Sequence, residues 1–355
     1  MSDQQARLTW QAVELQLHNP FRVSYGSSVT RTAYWLRLAD DAGWGEGTIP
    51  PYYGVKSSDM IQYWSQMASR TDPFPDDPAD IAAWVGADGP APARAALDLA
   101  LHDRIGRLRR QPLHQLLGLL QPKPLVTAFT IGIDTPENMA QQAAQSAYPI
   151  IKVKLGSDDD VARLSAIRTA RPDAELCVDA NGGWTPTVAV DHIRAMAPYR
   201  LTFVEQPVPK DDIEGMGFVQ SQVALPIVAD ESVQTIADVE RLAALGVQGI
   251  NLKLMKVGGL SPGLRMLQRA HDLGMRIMLG CMVETSLGVT AMAHLSGLAD
   301  WLDLDAPLLI ANDPFDGVWY DEQARIHLPK RPGIGVRKRD IEIHGESAEE
   351  RGEKK

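Results

Sequence analysis

The chain carries the stretch Ile-Lys-Val-Lys-Leu-Gly at residues 151–156. Its β-branched and aliphatic residues predict a buried strand that ends at Gly156. Side chains two residues apart on a strand point to the same face, so Lys152 and Lys154 should project into one space. Two ammonium groups on one buried face repel each other, which predicts a lowered pKa for at least one of them and suits a proton-abstracting base. Taken alone, the stretch fits a solvated edge strand with two surface lysines equally well.

Short apolar strands alternate with amphipathic helices from about residue 125 onwards, at a spacing of roughly 25 residues that is typical of successive βα units. The predicted strands lie at residues 126–131, 150–154, 176–179, 202–205, 227–229, 249–253, 276–280 and 302–303. This pattern indicates an α/β fold built on a modified (β/α)8 TIM-type barrel. In such barrels the carboxyl ends of the strands carry the functional residues.

The residues before the barrel predict an α+β N-terminal capping domain. Strands are expected at residues 8–17 and 33–38, a tight return at Trp44–Gly47, and helices at residues 58–69, 78–85 and 90–110. Loops at residues 19–28 and 49–56 are rich in aromatic residues, glycine and proline, a composition found in lids over a site. We therefore divide the chain into a capping domain (1–122), a barrel (123–310), a return segment that packs on the capping domain (311–340) and a charged tail that we expect to be disordered (341–355).

The overall composition restricts the class of partner. The formal net charge is −10, and no basic cluster offsets it, which argues against nucleic acid or an anionic membrane surface. No apolar run reaches transmembrane length. Cys177 and Cys281 each lie in an apolar run and are interpreted as buried, reduced thiols, so we expect a cytoplasmic protein without a disulfide framework.

Carboxylates follow three successive barrel strands, at Asp179, Glu205 and Asp230. Each one alone would fit a helix cap. Three that converge at one barrel mouth would repel each other strongly without a cation. Oxygen ligands of this kind favour Mg²⁺, so the spacing predicts a magnesium site.

Further charged residues fall at the ends of the sixth and eighth strands. Lys253 ends the sixth strand, opposite Lys152 and Lys154, and would present a second amine across the barrel mouth. Lys256 lies in the turn and is an alternative for this role, but the strand period favours Lys253, and Lys256 is interpreted as part of a structural ion pair. The last strand gives Asp303 and Asp305, two inward carboxylates that suit an ammonium group, although a solvated acidic turn would show the same pattern.

These motifs occur in the order Lys-Val-Lys, Asp-Ala-Asn, Glu-Gln-Pro, Ala-Asp-Glu-Ser and Lys-Leu-Met-Lys-Val-Gly-Gly. This order resembles the muconate-lactonising branch of the enolase superfamily, over about residues 8–334. The helix Ala-Leu-Asp-Leu-Ala-Leu-His-Asp at residues 96–103 and the Trp-Gly-Glu-Gly motif are part of the likeness. Within that branch, Gly-Cys-Met-Val-Glu-Thr-Ser-Leu-Gly at residues 280–288, followed by Asp-Leu-Asp, is similar to the dipeptide epimerases.

The resemblance implies a role for each site residue. It implies that Asp179, Glu205 and Asp230 bind one Mg²⁺, which holds the C-terminal carboxylate of a dipeptide. By the same resemblance Lys154 and Lys253 are the two acid/bases, Lys152 assists electrostatically, and Asp303 with Asp305 holds the α-ammonium group. Further substrate-contacting positions are Thr130, Cys281, Met282, Tyr25 and Tyr53, and Asn181 with Glu231 supports the metal ligands. The family also implies a homo-oligomer.

The expected reaction is epimerisation of the C-terminal residue of an L-Ala-Xaa-like dipeptide. Ala-Glu epimerases can carry a cation in the first lid loop, where this chain has Tyr25-Gly26 with Arg22 and Arg31 nearby. An apolar or aromatic Xaa is therefore expected.

Other activities on the same scaffold are those of an N-acylamino acid racemase, o-succinylbenzoate synthase or muconate cycloisomerase, which bind no ammonium group. An acid-sugar dehydratase needs a histidine on the seventh strand, where Cys281 and Met282 stand. A non-catalytic binding protein that reuses the barrel is the alternative from another class.

Overall fold

The computed structural model describes residues 7–50 and 52–339 of the chain. The charged tail predicted at 341–355 lies outside the described residues, as does Pro51 of the second predicted loop. The strands are β1 (Leu8–Val23), β2 (Gly26–Leu38), β3 (Trp44–Thr48), β4 (Phe129–Ile131), β5 (Ile150–Lys154), β6 (Glu175–Asp179), β7 (Leu201–Glu205), β8 (Ile227–Ala229), β9 (Gly249–Leu252), β10 (Arg276–Gly280), β11 (Trp301–Asp303), β12 (Phe315–Asp316), β13 (Trp319–Tyr320), β14 (Ile326–His327) and β15 (Arg337–Lys338).

Helices alternate with the barrel strands and also cover the N-terminal sheet. They are α1 (Ser57–Ala68), α2 (Pro78–Val85), α3 (Ala91–Arg109), α4 (Leu113–Leu116), α5 (Pro136–Gln145), α6 (Asp160–Ala170), α7 (Pro186–Ala195), α8 (Ile213–Gln222), α9 (Ile236–Ala244), α10 (Leu254–Val257), α11 (Leu260–Asp272), α12 (Ser286–Ala293) and α13 (Ala306–Leu309). None of the helices in the described part of the chain is both long and apolar enough to span a membrane.

Strands β4 to β11 form one eight-stranded sheet in chain order, and every paired neighbour is parallel. A bridge between Thr127 and Leu302 brings its first and last strands together, so the barrel is nearly closed. This confirms the predicted modified (β/α)8 barrel. Its first strand is shorter than predicted, because Val126 and Thr127 pair with Arg325 and Leu302 in isolated bridges instead of extending β4.

The N-terminal domain contains an antiparallel sheet in the order β1-β2-β3. The loop predicted at residues 19–28 is wrong, because β1 continues to Val23 and β2 begins at Gly26. The register of the pair shifts between Gln16 and Phe21, and such an irregularity accommodates Pro20, which cannot donate to a regular ladder. The outcome is a long hairpin with its turn at Ser24 and Tyr25.

The tight return predicted at Trp44–Gly47 is also wrong, because these residues begin strand β3, which pairs with β2. Gly45 and Gly47 allow the backbone of β3 to pack closely against helix α3. A β-carbon built on Gly45 would lie 1.8 Å from the carbonyl oxygen of Ala96, and one on Gly47 would lie 2.5 Å from that of Pro92. Helix α3 therefore lies directly on this face of β3, which forces the side chain between the two glycines to the opposite face.

The segment after the barrel contacts the N-terminal domain. The ring of Phe315 lies edge-on to Trp35 and Trp44, at centroid distances of 5.1 and 5.6 Å. The backbone N–H of Ile334 donates to Asp103 of α3 at 2.8 Å. These contacts place the N-terminal sheet beside the mouth of the barrel, where the hairpin can contribute to a site.

Candidate active site

Three carboxylates meet at the carboxyl ends of β6, β7 and β8. Asp179, Glu205 and Asp230 are fully buried, and each offers an oxygen within 4.8 Å of the oxygens of the other two. Glu205 Oε2 and Asp230 Oδ2 lie at ion-pair distance from lysines but have no partner with hydrogen-bond geometry among the described residues. A set of close, buried and incompletely satisfied carboxylate oxygens fits a hard divalent cation such as Mg²⁺.

Backbone and side-chain amide groups form hydrogen bonds with all three of these acidic residues. The backbone N–H of Asn181 donates to Asp179 Oδ1 at 2.8 Å, and Asn251 Nδ2 donates to Glu205 Oε1 at 2.8 Å. Gln206 Oε1 accepts the backbone N–H of Asp230 at 2.9 Å. Sequence reasoning missed Asn251, although it lies two residues before Lys253 and the two-residue period of a strand places both on one face.

The predicted supporting residues Asn181 and Glu231 contact each other. Asn181 Nδ2 donates to Glu231 Oε1 at 3.0 Å and to Asp179 Oδ2 at 3.2 Å. Burial, reinforced by the charges of Asp230 and Asp179, raises the pKa of Glu231 to about 7. Glu231 therefore contributes a fourth buried carboxyl group close to Asp179 and Asp230.

Lys152 and Lys154 project from β5 to the same side, and both are buried. Lys152 Nζ lies 2.6 Å from Glu205 Oε2, 2.6 Å from Asp303 Oδ2 and 3.3 Å from Asp179 Oδ2. Lys154 Nζ donates to Asp179 Oδ2 at 2.6 Å. Strand β5 lies between β4 and β6 in the barrel, so the alternative of a solvated edge strand is wrong.

Lys152 is not a lysine with the lowered pKa that was predicted for at least one member of the pair. Burial by itself would lower the pKa of Lys152, but the carboxylates of Asp303, Glu205 and Asp179 together raise it well above its ordinary value. The expectation considered only the repulsion between two ammonium groups. The acidic groups at the ends of β6, β7 and β11 outnumber them, so Lys152 keeps its positive charge.

Lys253 follows β9, four strands from β5 in an eight-stranded barrel, and so lies on the opposite side of the mouth. Its Nζ lies 2.9 Å from Asp230 Oδ2. Lys253 and Lys154 both line the same cavity. Lys256 is buried and donates to the Asp230 carboxylate and to the carbonyl oxygen of Asn251, which agrees with the predicted structural ion pair.

Asp303 and Asp305 line the cavity at the end of β11. Thr130 joins them, because its Oγ1 donates to Asp303 Oδ1 at 3.3 Å and its backbone N–H donates to Asp305 Oδ2 at 2.7 Å. The exposed fractions are 5% for Asp303 and 3% for Asp305, so a solvated acidic turn is excluded. Burial, together with the charge of Asp303, raises the pKa of Asp305 to about 7. An ammonium group bound beside the two carboxylates would stabilise their ionised forms.

The N-terminal domain closes the cavity from above the strand ends. Its contribution comes from the hairpin and from the segment after β3, through Phe21, Val23, Tyr25, Arg31, Ile49 and Tyr52. Tyr53 was predicted to contact substrate, but its ring packs 4.6 Å from Tyr52 and its hydroxyl donates to the carbonyl oxygen of Glu231 at 3.1 Å. Tyr53 thus supports Tyr52, which is itself a cavity residue.

Cys281 and Met282 form part of the barrel side of the wall, together with Val283. The thiol of Cys281 donates to the carbonyl oxygen of Asp303 at 3.3 Å. Cys177 is buried, whereas Cys281 is only half-buried, and both are free thiols. The prediction that both cysteines are buried is therefore wrong for Cys281, which lies just beyond β10 at the cavity.

Arg31 is the cationic residue that the hairpin adds to the wall. It is half-buried, and its Nη1 donates to Ser28 Oγ at 2.6 Å. Burial lowers the pKa of Arg31. Sequence reasoning placed Arg31 near the first lid stretch but could not show that β2 brings it to the cavity.

Two family models cover most of the chain. The model described as the mandelate racemase/muconate lactonizing enzyme N-terminal domain matches residues 5–118, and the enolase C-terminal domain-like model matches residues 135–341.

Curated relatives and solved structures agree with these models. The chain is 37% identical over 341 residues to the L-Ala-D/L-Glu epimerase of Bacteroides thetaiotaomicron, covering 94% of this chain and 88% of that protein. It is 34% identical to the hydrophobic dipeptide epimerase of Enterococcus faecalis, covering 92% and 97%. The crystal structure of the dipeptide epimerase from Enterococcus faecalis with Mg and L-Leu-L-Tyr superimposes with a TM-score of 0.87 at 32% identity, covering 94% of this chain and 99% of that one. The chain therefore belongs to the mandelate racemase and muconate lactonizing enzyme group of the enolase superfamily, and it is an isomerase of that family.

Proposed function

We propose that the protein epimerises the C-terminal residue of a dipeptide by 1,1-proton transfer between Lys154 and Lys253. The observation that carries this proposal is the position of the two lysines on opposite sides of one cavity. A base on each face of an α-carbon is what inversion of that centre requires. The epimerase relatives support the same reaction.

Lys154 would remove the α-proton from one face, and the C–H electron pair would pass into the neighbouring carboxylate to give an enediolate. Lys253, as an ammonium group, would deliver a proton to the other face of the same carbon. The opposite epimer would react with the roles exchanged. Lys152, whose pKa is raised by its carboxylate neighbours, would keep its positive charge throughout and favour the anionic state.

Asp179, Glu205 and Asp230 would hold one Mg²⁺. Bound there, the cation would orient the substrate carboxylate and offset the charge that develops on it. Asp179 and Asp230 are also the ion-pair partners of Lys154 and Lys253. Neutralising these carboxylates would weaken their attraction for the ammonium groups and make proton release easier.

Asp303 and Asp305 would hold the α-ammonium group of the dipeptide, with Thr130 orienting both carboxylates. This arrangement argues against an N-acylamino acid racemase, o-succinylbenzoate synthase or muconate cycloisomerase activity. Asp303 is paired with Lys152, but Asp305 forms no ion pair among the described residues, so substrates without an ammonium group would leave this buried carboxylate without a cation, at a desolvation cost.

The cavity wall favours an apolar or aromatic side chain on the residue that is epimerised. Tyr25 and Tyr52 lie edge-on at a centroid distance of 5.0 Å, and Ile49 and Met282 add apolar surface to the same cavity. One observation favours a second candidate. Arg31 lies in the same wall, and a half-buried guanidinium would suit an acidic side chain.

Proton NMR in D₂O with Mg²⁺ and a panel of L-Ala-L-Xaa dipeptides tests the proposal. Loss of the α-proton signal of Xaa together with the appearance of diastereomer peaks is the expected result, fastest for aromatic and large aliphatic Xaa. Fastest exchange of L-Ala-L-Glu and L-Ala-L-Asp would instead support the second candidate. If no dipeptide exchanges while N-acetylated amino acids do, the dipeptide assignment is wrong, and if nothing exchanges, the non-catalytic alternative gains support.

A further inference from the structure

Two carboxyl groups meet behind the cavity wall, where β3 of the N-terminal domain contacts α12 of the barrel. Glu46 lies between the two glycines of β3 that face α3, so its side chain points to the barrel side. A β-carbon built on Gly288 would lie 2.0 Å from Glu284 Oε2 and 3.3 Å from Glu46 Oε2. The two carboxyl groups therefore face each other across a single glycine, and both are buried.

The two groups differ in the hydrogen bonds they accept. Glu46 accepts the backbone N–H groups of Thr285 and Gly288 at 2.9 and 3.0 Å and the Thr285 hydroxyl at 2.6 Å. Glu284 accepts the backbone N–H of Met282 at 2.8 Å. Among the ion pairs of the described residues, none includes Glu46 or Glu284, so the pair lacks a cation that would stabilise two negative charges. Three donors at a helix N-terminus make Glu46 the better anion of the two.

Other charged groups near the pair do not change this assignment. Asp313 acts on Glu46 as a further negative charge, and Ser286 donates to Asp313 through its backbone N–H and hydroxyl. Lys253 acts on Glu284 but is ion-paired to Asp230. Burial, followed by the charge of Glu46, raises the pKa of Glu284 to about 8, while the pKa of Glu46 is raised to about 7 by burial.

The pair connects to both sides of the cavity wall. Glu284 accepts a hydrogen bond from the backbone N–H of Met282. Met282 lines the cavity together with its neighbours Cys281 and Val283. On the other side, Glu46 lies two and three residues before Thr48 and Ile49, which also line it. The bonds from Glu46 to Thr285 and Gly288 thus fix the N-terminal domain to the strand end that carries Met282.

We propose that Glu284 is a positioning residue that stays a neutral carboxylic acid beside the Glu46 carboxylate and thereby fixes the Cys281–Val283 wall of the substrate cavity. Ionisation of Glu284 would place two negative charges across Gly288, push the two groups apart and move the Met282 backbone that Glu284 holds. The effect on catalysis rests on the proposed dipeptide epimerisation, whereas the protonation state of Glu284 does not.

The experiment compares Glu284→Gln, which imitates the neutral acid, with Glu284→Ala, which removes the hydrogen bond to Met282. Glu322→Gln, at an exposed glutamate, is the matched control. Infrared difference spectra of wild type minus each glutamine variant at pH 7 report the carbonyl stretch of a protonated carboxylic acid. Steady-state kinetics with the best dipeptide of the panel, between pH 6 and 9, report KM and kcat separately.

We expect a carboxylic acid band in the Glu284→Gln difference spectrum and none in that of the control, with the band fading above about pH 8. KM of the wild type should rise more steeply with pH than KM of Glu284→Gln as the band fades, because deprotonation of the substrate α-ammonium group, at about pH 8, raises KM in both. Glu284→Ala should raise KM by about tenfold with a smaller change in kcat, because one hydrogen bond to a buried group is lost.

Absence of the acid band in the Glu284→Gln difference spectrum would overturn the proposal, as would an equal rise of KM in Glu284→Gln and Glu284→Ala. The infrared result is independent of turnover and stands even where the alanine variant does not fold. If the band is present but the wild type epimerises no dipeptide, the proposed function is wrong while the neutral state of Glu284 holds.

Discussion

Lys154 and Lys253 face one cavity from opposite sides of the barrel, and each is ion-paired to a carboxylate of the acidic cluster at its base. The distances are 2.6 Å from Lys154 Nζ to Asp179 and 2.9 Å from Lys253 Nζ to Asp230. Both carboxylates belong to the proposed metal site, so a cation bound there would compete with both ammonium groups for the same oxygens. The proposed acid/base lysines and the proposed metal ligands are therefore in direct contact.

Removing the charge that is proposed to receive the α-ammonium group should weaken substrate binding. We expect Asp305→Asn to raise KM for the dipeptide by about tenfold to hundredfold, with a smaller effect on kcat, since one charge-assisted hydrogen bond is lost. Steady-state kinetics would check this, with Asp211→Asn, whose side chain is 88% exposed, as the control. An unchanged KM in Asp305→Asn would place the ammonium group elsewhere.

Side-chain preference should depend on Tyr52. Tyr52→Ala is expected to lower kcat/KM for L-Ala-L-Tyr by about tenfold relative to L-Ala-L-Ala, because an aromatic contact surface is lost. Arg31→Leu should leave kcat/KM for L-Ala-L-Tyr unchanged. A selective loss of activity toward L-Ala-L-Glu in Arg31→Leu, with L-Ala-L-Glu the better wild-type substrate, would favour the acidic candidate.

Asn251 should be needed for tight Mg²⁺ binding although it is not a proposed ligand. Its amide donates to Glu205 Oε1 at 2.8 Å, and loss of such a supporting contact typically weakens metal affinity by about tenfold to hundredfold. Titration calorimetry with Mg²⁺ on Asn251→Leu would show this weakening. Asn138→Leu, on the exposed face of α5, should bind Mg²⁺ like the wild type, and equal affinity in both variants would exclude the supporting role.

The buried His294 should make the fold sensitive to acid. Burial lowers the pKa of His294 to about 3, while its Nε2–H donates to the carbonyl oxygen of Ile334 at 3.1 Å and its Nδ1 accepts the backbone N–H of His114 at 3.3 Å. The unfolded chain binds a proton here below about pH 6.5 and the folded one does not, so stability is lost as pH falls, by up to about 1.4 kcal/mol per pH unit.

Denaturant unfolding between pH 4 and 7 would measure this dependence. His294→Asn should be less stable at pH 7 but show a shallower decline toward low pH. His271→Asn, whose side chain is 79% exposed, should decline like the wild type. A slope in His294→Asn equal to that of the wild type would rule out this histidine as the cause.

The sequence predicts side-chain positions correctly where they follow from the two-residue period of a single strand or from the end of a strand. The two-residue repeat of a strand placed Lys152 beside Lys154, and the strand ends placed Asp179, Glu205 and Asp230 at one rim, before any contact was known. The raised pKa of Lys152 does not follow from the strand alone, because Asp303 is far away in the chain and only the barrel closure brings it near.

The features that sequence reasoning missed depend on contacts between distant segments. The glycines beside Trp44 were interpreted as a turn, but they admit helix α3 against β3. Glu46 and Glu284 carry no local signature, because their meeting depends on how the N-terminal domain lies against α12. Tyr53 differs from Tyr52 only in orientation, which a run of two tyrosines does not reveal.

The most direct test of two-lysine proton transfer is deuterium exchange in single lysine variants. Lys154→Ala and Lys253→Ala would each be incubated in D₂O with Mg²⁺ and, separately, with the L,L and L,D diastereomers of the best dipeptide. Proton NMR would follow loss of the α-proton and formation of the other diastereomer. Circular dichroism and Mg²⁺ titration would establish that each variant is folded and binds the metal.

We predict that both variants lose epimerisation and that each exchanges the α-proton of one diastereomer only, with opposite diastereomers for Lys154→Ala and Lys253→Ala. One remaining lysine can remove and return a proton on its own face but cannot reach the other. Retained epimerisation in either variant, or exchange of the same diastereomer by both, would contradict the assignment of one lysine to each face.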